Sequence, residues 1–495
     1  MVTFVKIICA RRVPHIAVRV AAIAICGFFS GPASADDDVI RDEPAIQAAV
    51  ARLRALGANA VTPRQVRIEN VGQWHGTEDD VLLVNQLPDL AELTINFKCV
   101  DADVVSELKL PRLDKLTLYG VSDEALAATP RLPEAEMLAV YPHSLGNGHG
   151  LAPWQLTAVG YRRVAELAGP IKSLHIGWST TFGQKGIDDT GLAALGQIKT
   201  LEKLDIYDGE YTGAGLARLS GLENLAYLSL ANRAKLDAAD LASLKPIQSL
   251  RSLNVSGMKC SPRGFRAVAS LEQLEELQFW ISQFPAPELQ PADVAALRGL
   301  KNLQSLWIGR WDGIGGLIGS PNIQQDALLA NSILNAAGQI PTMTSITIHR
   351  IGVTADGVEA LVQLPHLESL SLCPLQLQQR TVAALGNLKE LRRLSVTDTQ
   401  TSNVDLQGLT KCTELGELHL IQAVLDAKAL APLAELRLLK TVDFSHATFH
   451  GDVSTELRKL AALETLDISQ TNGNVRQDVL AKDVKIIQRA PAFPQ

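Results

Sequence analysis

Basic residues are in short supply. The chain carries 46 Lys and Arg against 53 Asp and Glu over 495 residues, a balance that argues against nucleic acid, which is bound chiefly through Lys and Arg on phosphate. Cofactor and catalytic motifs are missing as well. There is no Gly-rich phosphate loop ending in Lys-Ser/Thr, no G-x-S-x-G nucleophile elbow and no H-E-x-x-H zinc helix, so the sequence points to no cofactor and to no enzyme class. The Gly-rich stretch over 309–319 lacks the Lys-Ser/Thr ending and reads as a loop. His446 and His450 stand four apart near Asp443 and Asp452, but they follow a strand pattern into a turn, which suits solvated loop residues better than a metal pair. Cysteine is sparse, six in all, and the chain beyond residue 35 has no apolar run of membrane-spanning length.

Residues 1–35 have the build of a secretory signal. Lys6, Arg11, Arg12 and Arg19 supply the basic start, residues 20–29 the apolar run, and Ala33-Ser34-Ala35 a small-residue cleavage site before Asp36. The run is too short to cross a bilayer as a helix; the alternative is an uncleaved membrane anchor. Cleavage would leave 42 basic and 53 acidic groups, a net charge of −11. It would also leave Cys99, Cys260, Cys373 and Cys412, whose spacings form neither a dense disulfide framework nor a zinc pair, so buried free thiols are expected. The expected location is periplasmic, cell-envelope or extracellular.

A chain of 495 residues is either several domains or a repeat array, and internal periodicity decides between them. Sixteen segments match or approximate L-x-x-L-x-L, whose last two apolar residues alternate as a strand requires. Clear members are Leu113-Leu116-Leu118, Leu201-Leu204-Ile206, Leu225-Leu228-Leu230, Leu250-Leu253-Val255 and Leu274-Leu277-Phe279. From Ile348 onward the third apolar residue recurs every 24 residues, at Leu372, Val396, Leu420, Phe444 and Ile468.

The stretches between strands repeat too. Ser122, Asp188, Thr212, Asp237, Ser261 and Thr354 stand where a short helix would begin, each able to accept a hydrogen bond from first-turn amides, and Pro262 suits the first helical position. One strand-turn-helix unit cannot bury its leucines alone, so the units must stack. Stacking gives one parallel sheet on the concave side and helices on the convex side; sixteen strands about 4.8 Å apart trace an arc of roughly 75 Å. Residues 36–60 hold an amphipathic capping helix over 42–58, residues 61–470 the array, and residues 471–495 a carboxy-terminal cap and tail. Strand spacing is irregular near 142–170, 177–190, 281–293 and 309–340, where long loops on one rim are expected.

With its L-x-x-L-x-L strands and the helix entry Val353-Thr354-Ala355-Asp356-Gly357-Val358, the chain resembles the leucine-rich-repeat superfamily over about residues 60–470. It is most similar to the ribonuclease-inhibitor-like and cysteine-containing arrays and to secreted bacterial proteins built only from such repeats. The resemblance implies an α/β solenoid, a horseshoe of about 16 repeats, that binds a partner without catalysis. It also implies an alternative, a substrate-recognition array of the kind found in F-box adaptors. No F-box-like segment precedes the repeats, and an export signal fits that intracellular role poorly.

Side chains alternate along a strand, so the residues just before, between and after the last two apolar positions point out of the concave sheet. In repeats 3–10 these positions hold Tyr119, Tyr141, Tyr207, Tyr227, Trp280 and Trp307, half of the chain's twelve Tyr and Trp in about a tenth of its length. Strands favour aromatics in any case, but not to that degree. Tyr and Trp on a rigid surface are typical interface anchors. Together with His175, these six residues are the candidate partner-binding set, with a protein as the expected partner and a glycan as the second choice. Trp178 and Trp311 follow their strands by a residue or two. His175, His349 and His419 fall on repeats 5, 11 and 14, too far apart to act together, and each reads as a contact or surface residue. Repeats 11–16 present mostly Ser, Thr and Asp, as at Ser369, Ser371, Ser395, Thr465 and Asp467, and read as scaffold. The rival reading of the whole array is a structural element of the envelope without a dedicated ligand.

Overall fold

The computed structural model describes residues 43–142, 156–167, 169–177, 186–207, 209–231, 236–258, 261–281, 290–310, 323–375, 377–397, 405–476 and 483–489. Each L-x-x-L-x-L segment forms a strand, and the strands add side by side in chain order. From Gln65–Ile68 in repeat 1 to Thr465–Asp467 in repeat 16 every neighbouring pair is parallel. The register matches motif to motif: Leu93 faces Leu116, and Leu116 faces Leu138. The last two apolar residues of the motif point into the core, where Leu228, Leu230, Leu253, Val255, Leu370 and Leu372 are each at most 1% exposed. Because a repeat is covered only by its neighbours, this burial is what stabilises the stack.

Short helices run along the other side of the sheet. The Ser122 hydroxyl accepts from the Ala125 amide at 3.1 Å, the Asp188 carboxylate from Gly191 at 2.9 Å, and Asp237 from Ala239 at 2.8 Å. Ser261 and Thr212 cap their helices in the same way. Caps also tie one repeat to the next: Ser261 Oγ donates to Asp237 Oδ1 at 2.7 Å, and Thr212 Oγ1 to Asp189 Oδ2 at 2.7 Å. Thr354 departs from the expectation. It occupies the cap position without a cap bond, and its hydroxyl accepts from the Asn331 amide at 2.7 Å instead.

Two of the irregular spacings contain lengthened helices. Ala158–Leu167, of 10 residues, precedes the strand of repeat 5, and Ile323–Ala337, of 15, precedes that of repeat 11. A regular repeat has, for example, the five-residue helix Gly213–Ala217. The sheet register runs on undisturbed across both insertions, with Met137 opposite Ser173 and Ser305 opposite Ser345. Residues 144–154 and most of 177–186 and 309–322, with Trp178 and Trp311, lie outside the described residues.

The two ends differ. At the amino-terminal end, helix Pro44–Ala55 buries Ile46, Ala49, Val50 and Leu53 at the spacing of one helix face. The strand Asn59–Thr62 then pairs antiparallel with repeat 1. At the carboxy-terminal end, the segment expected as cap and tail contains one more parallel strand, Lys485–Ile487, paired with Thr465–Asp467. Among the described residues the sheet has 18 strands.

A second, three-stranded parallel sheet was not expected at all. It is formed by Val424–Asp426, Thr448–Asp452 and Asn472–Asn474. Before each of these strands one residue takes a left-handed backbone, Gln422, His446 and Gln470 with φ of +62°, +60° and +58°. The 24-residue sequence step thus reappears as a backbone step. His450, expected in a loop, is an exposed residue of this sheet.

Of the four thiols expected to be free and buried, Cys260 lies outside the described residues; Cys99, Cys373 and Cys412 are free, Cys412 is buried and the other two are half-buried. No helix among the described residues is long and apolar enough to cross a membrane.

Candidate binding surface

The unbroken register turns the three outward positions of the motif into three rows that cross the strands. In the middle row His175, Asp205, Ser229, Asn254 and Gln278 are successive neighbours, followed by Trp307. The row before it carries Lys203 and Tyr227. The row after it carries Tyr119 beside Tyr141, and Trp280 beside Gly309.

The aromatic residues gather into two clusters. Across repeats 3–6, Tyr119 and Tyr141 stack with centroids 4.5 Å apart and planes within 15° of each other. His175 lies 5.1 Å from Tyr141 and 5.4 Å from Tyr207, completing a run of four rings. Across repeats 9–11, Trp280 and Trp307 are 3.7 Å apart, and each lies 5.7 Å from His349. The proximity of His349 to the Trp pair escaped sequence reasoning. Register counting could have found it, since Gly309 pairs with His349.

Each cluster rests on a glycine. A Cβ on Gly177 would stand 2.1 Å from the Tyr141 ring, and one on Gly309 would stand 2.5 Å from the Trp307 ring. The rings therefore lie down over backbone that has no side chain. All six Tyr and Trp of the candidate set are half-buried, with part of each residue still open.

His175 is placed differently from the expectation of an exposed contact. It is 6% exposed, wedged between tyrosines, with Nδ1 3.1 Å from Asp205 Oδ2. It holds neighbouring rings in place more than it offers a surface. Tyr227 stands between the two clusters, on the strand whose middle position is Ser229 and beside the strand that carries Asn254. Burial pushes its phenol above the usual range, and the nearby Asp205 carboxylate adds to the effect.

The second half of the sheet face has another character. No Tyr or Trp occurs beyond Trp311. Arg393 makes a two-pronged pair with Glu417 at 2.6 and 3.0 Å, and His419 Nδ1 sits 3.3 Å from Asp443 Oδ2. These contacts link adjacent repeats. Ser, Thr and Asp are thus joined there by a charged ladder that the scaffold reading had not included.

Among solved structures, an internalin from Listeria monocytogenes matches at 16% identity and a TM-score of 0.44, covering 74% of this chain and 88% of its own. A leucine-rich-repeat protein from Leptospira interrogans matches at 16% identity and a TM-score of 0.38, covering 82% and 91%. TLR13, in a complex with ssRNA13, matches at 17% identity and a TM-score of 0.47, covering 82% of this chain and 55% of its own. No curated protein matches the sequence. The family model described as a leucine-rich repeat region matches residues 186–490, well over half of the chain. With that match on a solenoid of parallel strands and short helices, the chain belongs to the leucine-rich-repeat family.

Proposed function

We propose that the protein is an exported, non-enzymatic scaffold that binds a protein partner on the sheet face of repeats 3–10. The observation that carries this reading is the pair of half-buried aromatic clusters, Tyr119-Tyr141-His175-Tyr207 and Trp280-Trp307-His349, held on one continuous sheet. Rings already packed against backbone lose little freedom when a partner covers them, so the surface is pre-ordered for binding. Between and around the rings the face presents small and polar residues, Ser, Thr, Gly, Ala, Asn and Gln, with Met137 and the charged Lys115, Lys203, Asp205 and Glu276 and no Leu, Ile or Val; rigid aromatic anchors among adaptable polar contacts are a combination that antibody paratopes use.

The test is capture from an envelope extract, chosen because residues 1–35 have the build of an export signal. Replacing Tyr207, Tyr227, Trp280 and Trp307 by Ala is expected to release the partner that the native protein retains. Replacing Ser371 and Ser395 on the second half of the face is expected to leave capture intact. Capture unchanged by the aromatic replacements would overturn the reading.

A further inference from the structure

Between the two ring clusters the face changes chemistry. Asp205, Ser229 and Asn254 sit side by side in the middle row of repeats 6–8, and Tyr227 rises from the row before. Asp205 directs Oδ2 to His175, while its Oδ1 is buried and has no hydrogen-bond partner among the described residues. Asn254 Oδ1 is in the same position. The Tyr227 phenol is close to these groups: burial and then the Asp205 carboxylate raise it, and the Ser229 and Asn254 side chains act against them. Lys203, two residues before Asp205, is exposed and makes no ion pair among the described residues, and it leaves Asp205 Oδ1 unbound.

A buried carboxylate oxygen without a donor is costly, and so is a buried amide oxygen. Native proteins keep few such groups, and each calls for a reason. What this strip lacks is hydrogen-bond donors, and for Asp205 a positive charge. Two tyrosines bracket the carboxylate, Tyr207 two residues along its own strand and Tyr227 on the next. The faces of tyrosine rings attract cations.

We propose that this strip is the anchor point for a basic side chain, lysine or arginine, of the protein partner. The incoming group displaces the Tyr227 phenol, donates N–H to Asp205 Oδ1 and Asn254 Oδ1, and lies against the Tyr207 and Tyr227 rings. A glycan's hydroxyls would also donate, but they bring no charge to offset the carboxylate. The chain's net charge of −7 favours the approach of a basic partner. This inference rests on the sheet face being the binding surface.

The experiment is selection of random displayed peptides on the full-length chain, on Asp205→Asn, on Asn254→Asp and on Asp467→Asn, a control in the middle row of repeat 16. The native chain and the control are expected to enrich Lys or Arg at one peptide position, on the order of tenfold over the starting library. Asp205→Asn is expected to lose that preference, and Asn254→Asp, which adds a carboxylate without removing one, to strengthen it. Peptides enriched without a basic position, or a basic preference that survives Asp205→Asn, would overturn the anchor while leaving the aromatic face as the binding surface. A chain that enriches no peptide, whether or not it retains an oligosaccharide in the same format, would also overturn it. The aromatic replacements described above separately test the face itself.

Discussion

Gly309 lies beneath the Trp307 ring, at a point where an added Cβ would stand 2.5 Å from the ring and 3.1 Å from Trp280. Two large rings fit side by side on adjacent strands because that position carries no side chain. Gly309→Ala is expected to lift the Trp pair and to lower stability by about 1–3 kcal/mol, the usual cost of forcing extra volume into a packed site. Tryptophan fluorescence should change with it. The equivalent position of repeat 8 is Ser256, so Ser256→Ala should leave both readouts as they are. An unmoved emission spectrum for Gly309→Ala would contradict the packing described.

Truncation in the core should be far more damaging than truncation on the second half of the sheet face. Leu253 is 1% exposed and packs between repeats. Leu253→Ala is expected to cost about 2–5 kcal/mol, measured by the urea midpoint, whereas Ser395→Ala should stay within roughly 0.5 kcal/mol of the native protein. Equal effects would mean that the neighbour-covered core is not what holds the array together.

The strands were legible because the core constraint acts on every repeat alike. Leu228 and Leu230 must point inward, so their spacing is written into the sequence. Lys485–Ile487 was not legible, since the last strand in a stack has a neighbour on one side only and no longer needs the full leucine motif. The second sheet was hidden for a related reason: its strands are three to five residues long, and Gln422, His446 and Gln470 take left-handed backbone without the glycine that would announce it. At the candidate surface, row positions followed from alternation. Ring orientation did not, because it depends on Gly177 and Gly309 lying under rings that belong to other positions of the face.

Acid should reveal the His419–Asp443 contact. Burial alone would raise the Asp443 carboxyl, but hydrogen bonds from His419 and Ser445 outweigh burial and hold it below its ordinary value of 3.8. A carboxyl depressed in the folded state stabilises the fold fully above its unfolded value, and the contribution is lost as pH falls through the folded value. Asp443→Asn is therefore expected to lose less stability than the native protein between about pH 5 and pH 2. Urea midpoints across that range check it, and parallel curves for the two proteins would count against the contact.

Thiol reactivity should rank by burial. The Cys412 thiol donates to the Leu385 carbonyl oxygen at 3.3 Å, and burial pushes its pKa up to about 11. Near neutral pH its reactive thiolate is scarce and shielded. Alkylation of the folded protein followed by peptide mapping is expected to label Cys412 more slowly than the half-buried Cys99 and Cys373. Equal labelling rates would show that repeats 12 to 14 open more readily than their packing implies.

The aromatic face of repeats 3–10 is proposed as the binding surface. Capture from an envelope extract by the native protein and by the variant with Tyr207, Tyr227, Trp280 and Trp307 replaced by Ala tests it most directly, with an unchanged fold verified by circular dichroism. The retained partner is expected to disappear with the four rings. A partner retained equally by both proteins would contradict it.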